Sequence, residues 1–254
     1  MSLCKSPAEI EKLRRSGLAV RRVLAKVVAA VVPGATTWDL EEIAQAGIRA
    51  EGASSAFRGY RGYPCVLCAS VNDEIVHGIP SRKKVLRAGD LVSLDCGVLL
   101  DGYYGDSAVT VAVAGAPNPA HGRLLAVTQS ALAAGIAQAR AGNYLGDVSH
   151  AVQVAVESAG FSVVREFVGH GIGTHLHEDP QVPNYGSPGA GRKLREGMVL
   201  CIEPMVNQGS PEVRMLADGW TAVTADGACS AHFEHAVAIT RDGPWILTQD
   251  AAAA

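Results

Sequence analysis

LVSLDCGVLLDGYYGDSAVTV, residues 91–111, is the stretch on which the fold turns. Two apolar runs flank Asp101-Gly102, a dipeptide favoured in two-residue hairpin loops because both positions must adopt positive φ. A turn centred there pairs residues whose numbers sum to 203, so Asp95 faces Ala108. Asp106 lies two residues before Ala108, on the same face as Asp95 and diagonal to it. Diagonal neighbours are about 7–8 Å apart, close enough to share a cation. An aspartate pair in a hairpin is more often a solvated face. Here both strands are otherwise apolar, so the two carboxylates interrupt a core element and need a compensating cation or solvent. Turn chemistry accounts for Asp101.

Around this hairpin the pattern alternates between helices and strands. Ser6-Pro7-Ala8-Glu9 reads as a capping box, opening an amphipathic helix that runs to the Pro33-Gly34 break. A second helix is expected from about Thr37 to Gly52, and strands from Val66 to Val113. A long helix follows Asn118-Pro119 and closes at Gly142, and another spans about Gly146 to Ala159. FSVVREF, MVLCIEP and FEHAVAI then read as strands. Two helices followed by strands, repeated once, predict a pseudo-twofold α+β domain with halves at about 6–115 and 116–247. The four terminal alanines are expected to be a frayed end.

The 254 residues are 48% hydrophobic and 19% charged, with a net charge of -3. That balance gives no electrostatic footprint for nucleic acid. The N-terminal stretch lacks the apolar core of a signal peptide, and the apolar run around Val27 to Val32 is too short to span a bilayer. A cytoplasmic monomer with no membrane partner is expected. Six cysteines are then expected as reduced thiols. Cys65-x-x-Cys68 has no second pair to complete a zinc site, so both read as packing residues.

The second half supplies more ligand types. His170 lies among glycines in VGHGIGTHLHEDP, Glu203 interrupts LCIEPMVN, and Glu234 opens the apolar strand of SAHFEHAVAIT. Any one alone is more often a satisfied buried group. Four acids and an imidazole at strands or Gly-rich junctions form an oxygen-rich set suited to Mn²⁺, Fe²⁺, Co²⁺ or Zn²⁺, with enough carboxylates to bridge two ions. Such a pair lowers the pKa of a bound water and polarises a carbonyl.

Asp95, Asp106, His170, Glu203 and Glu234, in G-D-x-V-x-x-D, H-G-I-G, E-P-M and F-E-H contexts, resemble the methionine aminopeptidases of the pita-bread fold. The likeness runs from about residue 6 to 247. The 31-residue interval from Glu203 to Glu234 leaves no room for the insertion of type II enzymes, which points to the short bacterial type I form. The resemblance implies removal of initiator methionine from nascent chains, with the ribosome as a candidate partner. It implies that Asp95 chelates one ion, His170 and Glu203 the other, and that Asp106 and Glu234 bridge them. Glu203 is implied as the base acting on a metal-bridged hydroxide, His77 as the contact to the scissile amide, and His177 as the carbonyl hydrogen-bond donor. A free substrate α-amine coordinating a metal would explain a need for an unblocked N-terminus.

The implied methionine pocket comprises Tyr60, Tyr63, Cys68, Trp220 and Phe57, which suits a polarizable thioether. Phe57 stands where a cysteine is often found, and Leu176 where an aromatic often lies, so a shallower or shifted rim is expected. Strand period alone leaves His175 and His177 equivalent; the motif favours His177. His121 and His150 read as ordinary helical residues, and His232 or His235 as an orienting neighbour of Glu234. Rival readings are an X-Pro aminopeptidase or dipeptidase, an inactive binding protein on the same scaffold, and a metal-free creatinase-like hydrolase. The first usually carries a large preceding domain, and the other two expect lost ligands.

Overall fold

The computed structural model describes residues 3–114 and 118–250. Ser6 caps helix α1 (Pro7–Ala29): its hydroxyl accepts from the Glu9 amide, and the Glu9 carboxylate accepts from the Ser6 N–H. Thr36 and Asp39 repeat the device at α2 (Thr37–Ala50). Asn118 caps α3 (Pro119–Gln138) through the Ala120 amide, and α4 spans Leu145–Glu157. Helix α3 ends short of Gly142 because Gly142 donates to the Leu194 carbonyl and the Leu194 N–H bonds to Asn143. These backbone groups are satisfied outside the helix.

Nine strands form the main sheet: β1 (Ser54–Ser55), β2 (Leu67–Val71), β3 (Leu91–Leu100), β4 (Tyr103–Ala112), β5 (Gly169–Gly171), β6 (Glu178–Val182), β7 (Val199–Ile202), β8 (Glu234–Thr240) and β9 (Gly243–Ile246). Their order is β1-β3-β4-β8-β7-β5-β6, with β2 also beside β3 and β9 also beside β8. Asp101 and Gly102 take φ of 49° and 81°, and the β3–β4 hairpin pairs Asp95 with Ala108 and Gly97 with Asp106. The register is the one the turn dictates. FSVVREF contributes only the short strand Ser162–Val163, which pairs outside the main sheet with Met205–Asn207; Arg165 and Glu166 beyond it are exposed.

The α+β layering repeats. Val20, Val23, Leu40 and Ile48 of α1 and α2 pack on Leu67, Leu94 and Val98. Leu124, Leu132, Val148 and Val152 of α3 and α4 pack on Leu200, Ile202 and Val237. Helix α1 also reaches across, placing Ile10 and Leu13 against Val199 and Ala236 of the second half. Each Val, Leu and Ile among these is removed from water, worth about 1.5–3 kcal/mol before entropy is counted. The expected division at 115/116 and the terminal alanines lie outside the described residues. Among those described, no helix is long and apolar enough to cross a membrane.

Candidate metal centre and substrate pocket

Cross-strand pairing builds one row of partners, Cys68–Asp95–Ala108–Glu234, across β2, β3, β4 and β8. His235 pairs with Ile202, so one step further along the same ladder Glu234 faces Glu203. Two residues along, the neighbouring row pairs Gly97 with Asp106, and Cys201 with both Ala236 and His170. Side chains two apart share a face, so all five sequence-nominated residues project from one side of the sheet. His170 Nε2 lies 3.6 Å from Glu203 Oε1 and 4.0 Å from Asp106 Oδ2. Ligand atoms of Asp95, Asp106 and Glu234 fall within 4.8 Å of one another, as do those of His170, Cys201 and Glu234.

Four carboxylates this close are unfavourable without a counter-charge. Burial, then the charge of Glu234, holds Asp95 and Asp106 well above the usual carboxylate range. Burial followed by the charge of Glu203 does the same to Glu234. Glu203, its side chain 13% exposed, is pushed up to about 8 by burial. Burial lowers His170 to about 3, leaving a neutral imidazole of the kind that ligates metals. Asp95 Oδ1, Asp106 Oδ1 and Glu234 Oε1 are buried and have no hydrogen-bond partner. Orphaned acceptors converging on one space call for a cationic partner, and the donor set fits divalent metal. Cys201 fits less well than Glu203: burial and the nearby Glu234 and Asp106 charges push its thiol far up, whereas metal ligation requires thiolate.

A cavity of about 200 Å³ opens beside this cluster. Its apolar wall comprises Phe57, Tyr63, Cys68, Leu176 and Trp220, which pack as one cluster with Tyr60. Trp220 meets Tyr63 edge-on at 5.1 Å and His77 at 6.1 Å. His77 has φ of 61°, a strained backbone state of about 1–3 kcal/mol that persists only where surroundings impose it. The adjoining Gly78 lies so close to β2 that a Cβ there would sit 2.6 Å from the Ala69 carbonyl oxygen. His177 Nδ1 is 2.8 Å from the Tyr60 hydroxyl, and its ring lies 4.3 Å from that of His170 at a tilt of 53°.

Residues 11–241 match the profile of metallopeptidase family M24. The methionine aminopeptidase of Clostridium acetobutylicum is 47% identical over 248 residues, covering 98% of this chain and 99% of that protein. The chain belongs to metallopeptidase family M24. The M24 assignment brings divalent metal with it, in agreement with the orphaned carboxylate oxygens. The crystal structure of methionine aminopeptidase from Thermotoga maritima superposes with a TM-score of 0.95 at 48% identity, covering 97% of this chain and 99% of that one. The prolidase of Pyrococcus furiosus, at 21% identity and TM-score 0.79 over 66% of its own length, shares the fold alone. This is the pita-bread architecture.

Not every histidine of this M24 chain reaches the cavity. His175 is exposed, its amide bonded to Glu178. His121 and His150 rest near the carbonyls of Gly89 and Gly186. His235 bonds to Thr248, whereas His232 Nε2 lies 3.6 Å from Glu203 Oε2 and lines the cavity. Residues that sequence reasoning did not nominate for the cavity include Arg61, Phe167 and Met205. Cys65 and Cys68 are both free thiols and buried; Cys68 lines the cavity and Cys65 packs in the apolar cluster behind it.

Proposed function

We propose that this chain is a metal-dependent aminopeptidase that removes N-terminal methionine from newly made polypeptides, with Asp95, Asp106, His170, Glu203 and Glu234 as the ligands of two divalent ions. The supporting observation is the juxtaposition of two buried and two half-buried carboxylates and a neutral imidazole with an apolar, aromatic cavity of about 200 Å³. Bound divalent ions supply Lewis acidity, activating a water and polarising a carbonyl.

The remaining roles belong to side chains. Glu203, raised toward neutrality, is suited to take a proton from the attacking water and pass it on. With the Tyr60 hydroxyl donating to His177 Nδ1, the ring proton sits on Nε2, where it can be donated to the substrate carbonyl oxygen. His77, lowered to about 4 by burial, is neutral and faces the cavity as a contact for the scissile amide. Tyr60, Tyr63, Phe57, Cys68 and Trp220 enclose the methionine side chain; a thioether against ring edges is a favourable pairing.

We read residues 1–254 as one catalytic domain with halves of about 6–115 and 116–247, on the strength of the repeated helix-pair and strand order. The implied setting is a cytoplasmic monomer meeting nascent chains at the ribosome, with Co²⁺, Mn²⁺, Fe²⁺ or Zn²⁺ as the ion. One assay separates the principal readings: metal-loaded protein should release methionine from Met-Ala-Ser and leave X-Pro peptides intact. Cleavage of X-Pro bonds with no methionine release would reverse the assignment.

A further inference from the structure

Another buried carboxylate lies outside the metal cluster. Glu41 of α2 is completely buried and lines no part of the cavity. Its Oε2 accepts from the amides of Val66 at 3.1 Å and Leu67 at 2.9 Å. Its Oε1 accepts from Val66 at 3.0 Å, Arg58 Nη2 at 2.9 Å and Gln45 Nε2 at 2.9 Å. These charge-assisted bonds gather both ends of one segment, since Arg58 follows β1 and Val66-Leu67 enter β2. Between those ends the chain carries Tyr60 and Tyr63, while Phe57 immediately precedes Arg58 and Cys68 follows Leu67. All four line the cavity.

We infer that Glu41 is a positioning residue for the methionine side-chain pocket: through Arg58, Val66 and Leu67 it sets where the Phe57–Cys68 wall stands relative to the metal face. The inference rests on the aminopeptidase reading above and adds to it a residue remote from the reacting atoms. A glutamine has one acceptor oxygen where the carboxylate has two. With that oxygen at the Oε2 position its NH₂ would face the Arg58 and Gln45 donors; with it at the Oε1 position the Leu67 N–H would lose its acceptor, so either way part of the anchorage is lost. The metal ligands lie on other strands and do not touch Glu41, so loss of the anchor should loosen side-chain binding without altering the chemical step.

The test measures KM and kcat for Met-Ala-Ser with wild-type, Glu41→Gln, Glu41→Asp and Arg58→Gln proteins, together with metal binding by calorimetry and thermal unfolding. For Glu41→Gln, KM should rise roughly three- to thirty-fold while kcat stays within about twofold, the pattern of lost uniform binding. Metal stoichiometry should be unchanged. Arg58→Gln keeps both backbone anchors and should raise KM less; Glu41→Asp keeps the charge and should recover part of the loss. If Glu41→Gln does not fold, the KM shifts of the other two variants decide the matter. Unchanged KM throughout, or kcat falling in step with the folded fraction, overturns the inference. Wild-type protein that releases no methionine overturns the aminopeptidase reading, and this inference with it.

Discussion

Gly97 and Phe57 compete for one space: a Cβ on Gly97 would sit 2.6 Å from Cε1 of the Phe57 ring. Gly97 is also the cross-strand partner of Asp106, so the bare backbone at this position lets an aromatic wall reach the row beside the candidate metal face. Gly97→Ala should therefore destabilise the protein by about 1–3 kcal/mol through overpacking. In a Phe57→Cys background the same methyl group should cost less, the contact with the Ala56 Cβ at 2.9 Å remaining. Denaturant unfolding of the four proteins checks this, and strictly additive energies would refute the shared space.

Phe57→Cys alone should change the ratio of kcat/KM for methionine- over norleucine-headed peptides, because the ring forms part of the cavity wall. An unaltered ratio would mean that the rim lies elsewhere.

His177→Ala should lower kcat by roughly 10²–10³-fold, the range for one lost oxyanion donor. Tyr60→Phe should act in the same direction but less, since it removes the group bonded to His177 Nδ1. Steady-state kinetics decide; a loss confined to KM would assign His177 to uniform binding instead.

Glu203→Ala should abolish nearly all turnover while leaving the fold intact, because it removes both a ligand and the base. Circular dichroism and single-turnover hydrolysis together test this. A variant with near-normal rate would remove Glu203 from the chemistry.

Above the ordinary histidine value of 6.5, where the lowered histidines are neutral in both folded and unfolded chains, the metal-free protein should lose stability as pH rises. Glu203 is raised from the ordinary 4.5 to about 8 in the folded state, so the folded protein holds this proton more tightly than the unfolded chain does. Its contribution is complete below about 4.5 and disappears as pH climbs through about 8. Asp95, Asp106 and Glu234 are shifted in the same direction. Bound divalent metal replaces those protons, so the gain in Tm on adding Mn²⁺ should be larger near pH 8 than near pH 6. A pH-independent gain would show that the carboxylates are not the ligands.

Local chemistry made much of this architecture legible. Asp101-Gly102 fixes a register, and the register alone sets Asp95 beside Asp106. Ser6 and Glu9 announce the start of α1 in four residues. What eluded the sequence depends on remote partners. Helix α3 stops early because Leu194 takes up the chain at Gly142 and Asn143, which no local pattern records. Cys201 looks like one more apolar residue in VLCI until β5 sets His170 opposite it. Arg61 reaches the cavity from a turn with φ of 48°, between Gly59 and Gly62, and no periodic signal marks it.

The hairpin also limits how this enzyme can vary. Leu94, Cys96 and Val98, the alternate residues of β3, face the apolar layer under α1 and α2. Adding or deleting one residue next to Asp101 would swap odd for even on one strand, driving a carboxylate into that layer or a leucine into the active centre. Insertions at this tip should be tolerated only in pairs. The exposed loop thus acts as a parity check on the clustered acids.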